Sequence, residues 1–169
     1  MEHVIVVNEK DEVLGTMEKM EAHQKGVLHR AISIFIYNSN GEMLLHRRAL
    51  SKYHSGGLWT NTCCSHPRPD ESIIDAAHRR LNEEMGLSCK LFPSYSFIYK
   101  AELDHKLWEH ELDHVLIGMT DEAPQPNPEE VMEYRWVNVD TLLQELRDYP
   151  EQFTEWFKII CNKGIPGTE

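Results

Sequence analysis

From Leu28 to Tyr37 the chain gathers β-branched and aromatic residues, with Ile32, Ile34, Phe35, Ile36 and Tyr37 in close succession, and this run reads as a buried strand. Asn40-Gly41 then forms a strong hairpin turn into a second strand, Glu42 to Arg48. A strand pair this apolar belongs at the centre of a sheet, and a central sheet needs other elements to cover its faces. The remaining segments supply them. Val4 to Val7 and Val13-Leu14, separated by Asn8-Glu9-Lys10-Asp11-Glu12, read as a short hairpin, and Thr16 to Lys25 is helix-compatible. Ile74, Ala77, Leu81 and Met85 recur at helical spacing, with Asp70 as the expected N-cap and Gly86 as the stop. Leu91 to Leu103, Lys106 to Met119 and Val131 to Val137 read as strands, and Asp140 to Asp148 and Glu151 to Cys161 as helices. The expected class is α+β, a curved mixed sheet covered by helices, in one domain spanning residues 1–169.

Charge and cysteine usage narrow the partners. A formal charge of −11 argues against nucleic acid, whose phosphates call for a basic face. No apolar run approaches the roughly 18 residues that span a membrane. The start of the chain lacks a signal-peptide pattern, and the four cysteines, Cys63, Cys64, Cys89 and Cys161, form no disulfide framework, so a cytoplasmic protein with free thiols is expected. An acidic chain still holds a small phosphate ester where a few cations converge or a metal ion supplies charge. Lys19, which precedes His23, and the cluster Arg47-Arg48-Ala49-Leu50-Ser51-Lys52 are such cations, although a lone basic run is more often a solvated loop.

Three segments carry potential chemistry. In Trp108-Glu109-His110-Glu111-Leu112-Asp113-His114, strand alternation puts Glu109 and Glu111 on one face, either as a solvated charged surface or as two carboxylates relieved by a cation. Ten histidines are available, and His23, His29 and His66 combined with the two glutamates form a mixed nitrogen and oxygen donor set suited to zinc or manganese. Cys63 and Cys64 face opposite ways in an extended segment, and His66 shares the face of Cys64; if His66 is a ligand, Cys64 is the cysteine beside the metal, and otherwise both cysteines are small buried hydrophobes. Glu83 and Glu84 end a helix where its dipole disfavours carboxylates, which points to a cation or to pairing with Arg79 and Arg80.

Glu71, then Arg79-Arg80-Leu81-Asn82-Glu83-Glu84-Met85-Gly86-Leu87 after seven residues, resembles the Nudix box, G-x5-E-x7-R-E-U-x-E-E-x-G-U. Two positions depart from it: Ser65 stands for the first glycine, and Arg80 replaces a glutamate that hydrolases use to gather magnesium. With Trp59-Thr60-Asn61-Thr62-Cys63-Cys64-Ser65-His66-Pro67 and Glu109-His110-Glu111, the chain from about His3 to Ile160 is similar to the type I isopentenyl diphosphate isomerases of the Nudix superfamily. The resemblance implies a Nudix-type α/β/α sandwich and a small isoprenoid diphosphate as substrate. It implies a metal site of His23, His29, His66, Glu109 and Glu111 holding zinc, manganese or magnesium, a second magnesium on Glu84 bridging to the diphosphate, and no flavin. Lys19, Arg48, Lys52 and Arg80 are implied as phosphate contacts, Cys64 and Glu111 as the catalytic pair, Tyr99 as a hydrogen-bond partner of the glutamate, and Trp156 as an aromatic lining the hydrocarbon pocket. Two competing readings are a Nudix hydrolase of nucleoside or sugar diphosphates, which Arg80 and the cysteine motif oppose, and a non-enzymatic metal-binding domain.

Overall fold

The computed structural model describes residues 1–168. Among them nine strands join in one sheet. Strands β1 (His3–Val7) and β2 (Val13–Glu18) form the N-terminal hairpin, and helix α1 (Lys19–Lys25) follows directly, so the stretch expected to be helical from Thr16 begins as strand. Strand β3 (His29–Tyr37) organises the rest. A parallel partner, β8 (Trp108–Met119), runs the length of one edge, from His29 opposite Glu111 to Tyr37 opposite Met119. The other edge is shared in succession by β1 at His29, by β6 (Cys63–Ser65) at Ile32 to Ile34, and by β4 (Met43–Arg48) at Tyr37.

The Asn40-Gly41 hairpin therefore forms, but β3 and β4 pair at only one position before they part. Thr62 fills the divergence: its hydroxyl accepts from Ile36 N–H at 2.9 Å and donates to Leu44 C=O at 2.7 Å, satisfying backbone groups that would otherwise be buried unpaired. Beyond the split, β4 pairs with β5 (Trp59–Thr60) and β9 (Val131–Val137), while β7 (Leu91–Glu102) pairs antiparallel with β8.

Helix α2 (Ile73–Met85) covers one face. Its Ala76, Ala77, Leu81 and Met85 pack on Ile32, Ile34, Ile36, Leu44 and Cys63. The N-cap is Ser72, whose hydroxyl accepts from Asp75 N–H at 3.1 Å. Asp70, the expected cap, instead occupies a left-handed turn at φ 65° just upstream. Gly86 ends the helix at φ 63°, as expected, and a Cβ there would stand 2.7 Å from the Gln125 carbonyl oxygen. On the opposite face, α3 (Val139–Asp148) and α4 (Glu155–Lys163) pack Leu142, Trp156, Phe157 and Ile160 against Phe35, Met43, Leu45 and Val115. The result is the expected sandwich of helix, mixed sheet and helix. No helix among the described residues is long and apolar enough to cross a membrane.

Candidate active site

The register across three strands builds the centre. Tyr99 on β7, Glu111 on β8 and His29 on β3 lie in one row, so their side chains meet on one side of the sheet. The two Glu111 oxygens have separate partners: Oε1 accepts the Tyr99 hydroxyl at 2.6 Å, while Oε2 lies 3.1 Å from His29 Nε2 and 2.7 Å from His66 Nε2. Glu109, two residues back on the same face, presents Oε2 to His23 Nε2 at 3.6 Å. Backbone carbonyls set the rings. His23 Nδ1 lies 2.7 Å from the Lys19 carbonyl one helical turn earlier, and His29 Nδ1 lies 2.8 Å from that of Val27.

One donor atom from each of His23, His29, His66, Glu109 and Glu111 lies within 4.8 Å of every other. His23 Nε2 and Glu109 Oε2 are buried and without a hydrogen-bond partner. Buried polar atoms cost free energy unless satisfied, and a nitrogen and an oxygen left aimed at a common point fit a divalent cation. The donor set of imidazoles and carboxylates is one a divalent metal accepts. Glu84 does not join these five. It lies buried beneath Cys63, its Oε2 accepting the Cys63 thiol at 2.5 Å and its Oε1 3.1 Å from Arg80.

Cys63 and Cys64 face opposite layers as alternation required. Cys63 packs against α2, and Cys64 packs on the α4 side against Trp156. The Cys64 thiol donates to Asn61 Oδ1 at 2.9 Å and its sulfur accepts the Trp156 indole N–H at 3.0 Å. Asn61 is oriented by its own amide nitrogen, which donates at 3.0 Å to the carbonyls of both Ile34 and Cys63. Cys64, His66, Glu109, Glu111 and Trp156 line one small cavity. An adjoining basic cavity is lined by Lys19, Arg48, Lys52 and Arg80, with Cys64 and His66 on its wall. Four cations scattered in sequence thus converge in a chain of net charge −11, kept paired by Glu2 on Lys19 at 2.6 Å and by Glu130 on Lys52 at 2.6 Å. Tyr99 lies behind Glu111 and is not on either wall.

Burial, reinforced by the negative charge of Glu111, pushes the Glu109 carboxyl up to about 8. Glu111 goes the other way: burial alone would raise it, but hydrogen bonds from Glu109, His29 and His66 hold it well below the carboxylate range. The metal-free pair therefore shares one proton, carried by Glu109. Burial also raises the Cys64 thiol despite the Trp156 hydrogen bond, keeps the Tyr99 phenol neutral, and lowers His66 to about 3. A cation entering this site must displace the shared proton. Divalent metal affinity is accordingly expected to rise about tenfold per pH unit below pH 8 and to level above it; titration calorimetry from about pH 6 to 9 would read this, and a pH-independent affinity would contradict it.

Sequence reasoning passed over three residues here. His54, buried beside Glu109, was one of ten histidines, with no spacing to mark it inside a loop of small residues. Asn61 and Glu130 likewise act through tertiary contacts that no local pattern encodes. His46, also buried, belongs to the core, with Nδ1 2.8 Å from the Thr62 carbonyl.

Residues 27–157 match the NUDIX domain family. The fold superposes on DR0079 from Deinococcus radiodurans with a TM-score of 0.79 at 20% identity, covering 96% of this chain and 98% of that one. A MutT protein from Methanosarcina mazei matches at a TM-score of 0.65 and 23% identity, over 80% of this chain and 91% of that one. Fold and site together define a Nudix domain carrying an added cluster of histidines and glutamates. The isopentenyl-diphosphate Delta-isomerase of Pectobacterium atrosepticum is 54% identical over 92% of this chain and 87% of its own length. That of Burkholderia multivorans is 48% identical over 98% and 94%. The chain belongs to the family of type I isopentenyl-diphosphate Delta-isomerases.

Proposed function

We infer that this protein converts isopentenyl diphosphate to dimethylallyl diphosphate by moving one proton onto the hydrocarbon and taking another off. The observation that carries the mechanism is the division of labour between the Glu111 oxygens, with Oε2 toward His29 and His66 and Oε1 toward Tyr99, on a cavity that also exposes Cys64. A carboxylate wholly engaged by a cation would be a poor proton carrier. Here Oε2, toward His29 and His66, would face a bound cation and Oε1 carries the proton, with the Tyr99 hydroxyl turning from donor to acceptor as Oε1 becomes protonated.

In the forward direction Glu111 delivers its Oε1 proton to the terminal methylene carbon. The double-bond electrons form the new C–H bond and leave a tertiary cation. Cys64 thiolate, held by the Trp156 N–H, removes a proton from the neighbouring methylene, and that C–H pair becomes the new double bond. The enzyme is left with a Cys64 thiol, which burial favours, and a Glu111 carboxylate, which its hydrogen bonds favour; to reset the pair, the thiol releases its proton to solvent and Glu111 takes one up. The Trp156 ring contributes about 2 kcal/mol to a desolvated cation, roughly thirtyfold in rate, and the negative charge of Glu111 after proton delivery adds to it.

Lys19, Arg48, Lys52 and Arg80 bind the diphosphate, with Glu2 and Glu130 yielding their cations to it. Glu84, released from Cys63 and Arg80, would hold a second magnesium, which would supply positive charge to the diphosphate. At the five-residue site, manganese or zinc suits the imidazole-rich set, and the bound cation supplies the charge that organises Glu109 and Glu111 for their roles. Incubation with isopentenyl diphosphate and magnesium in heavy water tests the assignment. Dimethylallyl diphosphate carrying deuterium is expected; neither isomer nor exchange from metal-replete protein would end it.

A further inference from the structure

His54 lies in the loop between β4 and β5, on the wall of the small cavity, with its ring edge-on to Trp156 at 5.6 Å between centroids. The ring is 2% exposed. Its Nε2 stands 3.1 Å from Glu109 Oε1, and once a cation has displaced the proton that Glu109 carries, that carboxylate oxygen only accepts. The hydrogen therefore belongs on Nε2, and Nδ1, 3.1 Å from Ser55 Oγ, accepts the serine hydroxyl.

The surrounding loop is built to hold this ring. Arg48 donates to the His54 carbonyl from Nη2 at 3.0 Å and from Nε at 3.3 Å. Ser55 adopts a left-handed φ of 55°, a conformation that costs a non-glycine residue free energy, and its N–H donates to both Asp104 oxygens at 3.2 and 3.3 Å. Yet His54 Nε2 is itself without a well-aligned partner, as are Glu109 Oε2 and His23 Nε2. Two ring nitrogens and one carboxylate oxygen thus stand unpartnered together at Glu109.

We propose that His54 is a positioning residue that holds Glu109 Oε1 by its Nε2–H, so that Glu109 binds the metal through Oε2 alone. This rests on the five-residue metal site proposed above. Hydrogen bonds from outside the ligand set commonly govern metal affinity tenfold to a hundredfold. The same hydrogen bond keeps the carboxylate from closing both oxygens on the ion, which would crowd out the Oε2 of Glu111.

Cobalt(II) serves as the probe because its visible absorption reports coordination number. His54→Met fills the volume without a donor; His54→Gln places an amide N–H near the position of Nε2. His54→Met is expected to bind cobalt about 10- to 100-fold more weakly and with a lower visible molar absorption, as Glu109 closes with both oxygens, while His54→Gln returns affinity and spectrum to within about threefold of the unaltered protein. Thermal melting of each metal-free variant checks that the fold is kept. Unchanged affinity and spectrum in His54→Met, or equal damage in both variants, would overturn the role of His54 alone. Failure of the unaltered protein to bind cobalt would overturn the metal site with it.

Discussion

Glu111→Gln is expected to lower kcat by about 1000-fold, near the middle of the range for removing a positioned general acid or base. That factor corresponds to about 4 kcal/mol of barrier. The change is nearly isosteric, so Tyr99, His29 and His66 stay in place, but either orientation of the new amide is damaging. With its nitrogen toward His29 and His66 it turns an N–H on the metal position; with its nitrogen toward Tyr99 it loses the oxygen that carries the proton. Metal content separates the two. A variant that retains its metal and is still about 1000-fold slow has lost the proton carrier, and the diphosphate contacts, lying in the neighbouring cavity, should leave KM within about threefold. Full turnover by Glu111→Gln would remove Glu111 from the chemistry.

Cys64→Ala should cost about 1000- to 10,000-fold in kcat, at metal saturation, because a methyl group can neither hold nor take up a proton. Cys63 does not rescue it. Its side chain lies in the opposite core layer, against α2 and Glu84, and exchanging the two would require the strand to slip by one residue and turn every side chain to the wrong face. Metal affinity should be unchanged, since Cys64 is not among the five donors. Turnover within tenfold of the unaltered protein would exclude Cys64 as the base.

Alternation along extended segments explains why so much of the site was legible in advance. The period of two paired Glu109 with Glu111 and separated Cys63 from Cys64, and both inferences hold in the folded chain because β6 and β8 are regular strands there. The motif around Arg79 to Leu87 carried the class, since its glycine, apolar and charged positions each answer to a turn, a core face or a surface of one helix. Local signals failed where a long-range contact decided the outcome. Asp70 is a good cap by composition, yet its backbone turns left-handed there, and Ser72 takes the cap two residues on. The hairpin at Asn40-Gly41 predicted a pair of neighbouring strands, but the far edge of β3 is divided among three partners, which separates β4 after one pair and opens the gap where Thr62 enters.

By itself, the sequence determined the layered class, the donor types of the metal site, and which cysteine and which glutamates could act together, because these follow from residue chemistry and from periods of 2 and 3.6. Tertiary structure alone decided that Tyr99, Glu111 and His29 share one row, that each Glu111 oxygen has its own partners, that Lys19, Arg48, Lys52 and Arg80 converge, and that His54 faces Glu109. Those are matters of strand register and loop path. Register is set by the packing of a whole sheet between two helical layers, and no local pattern carries it.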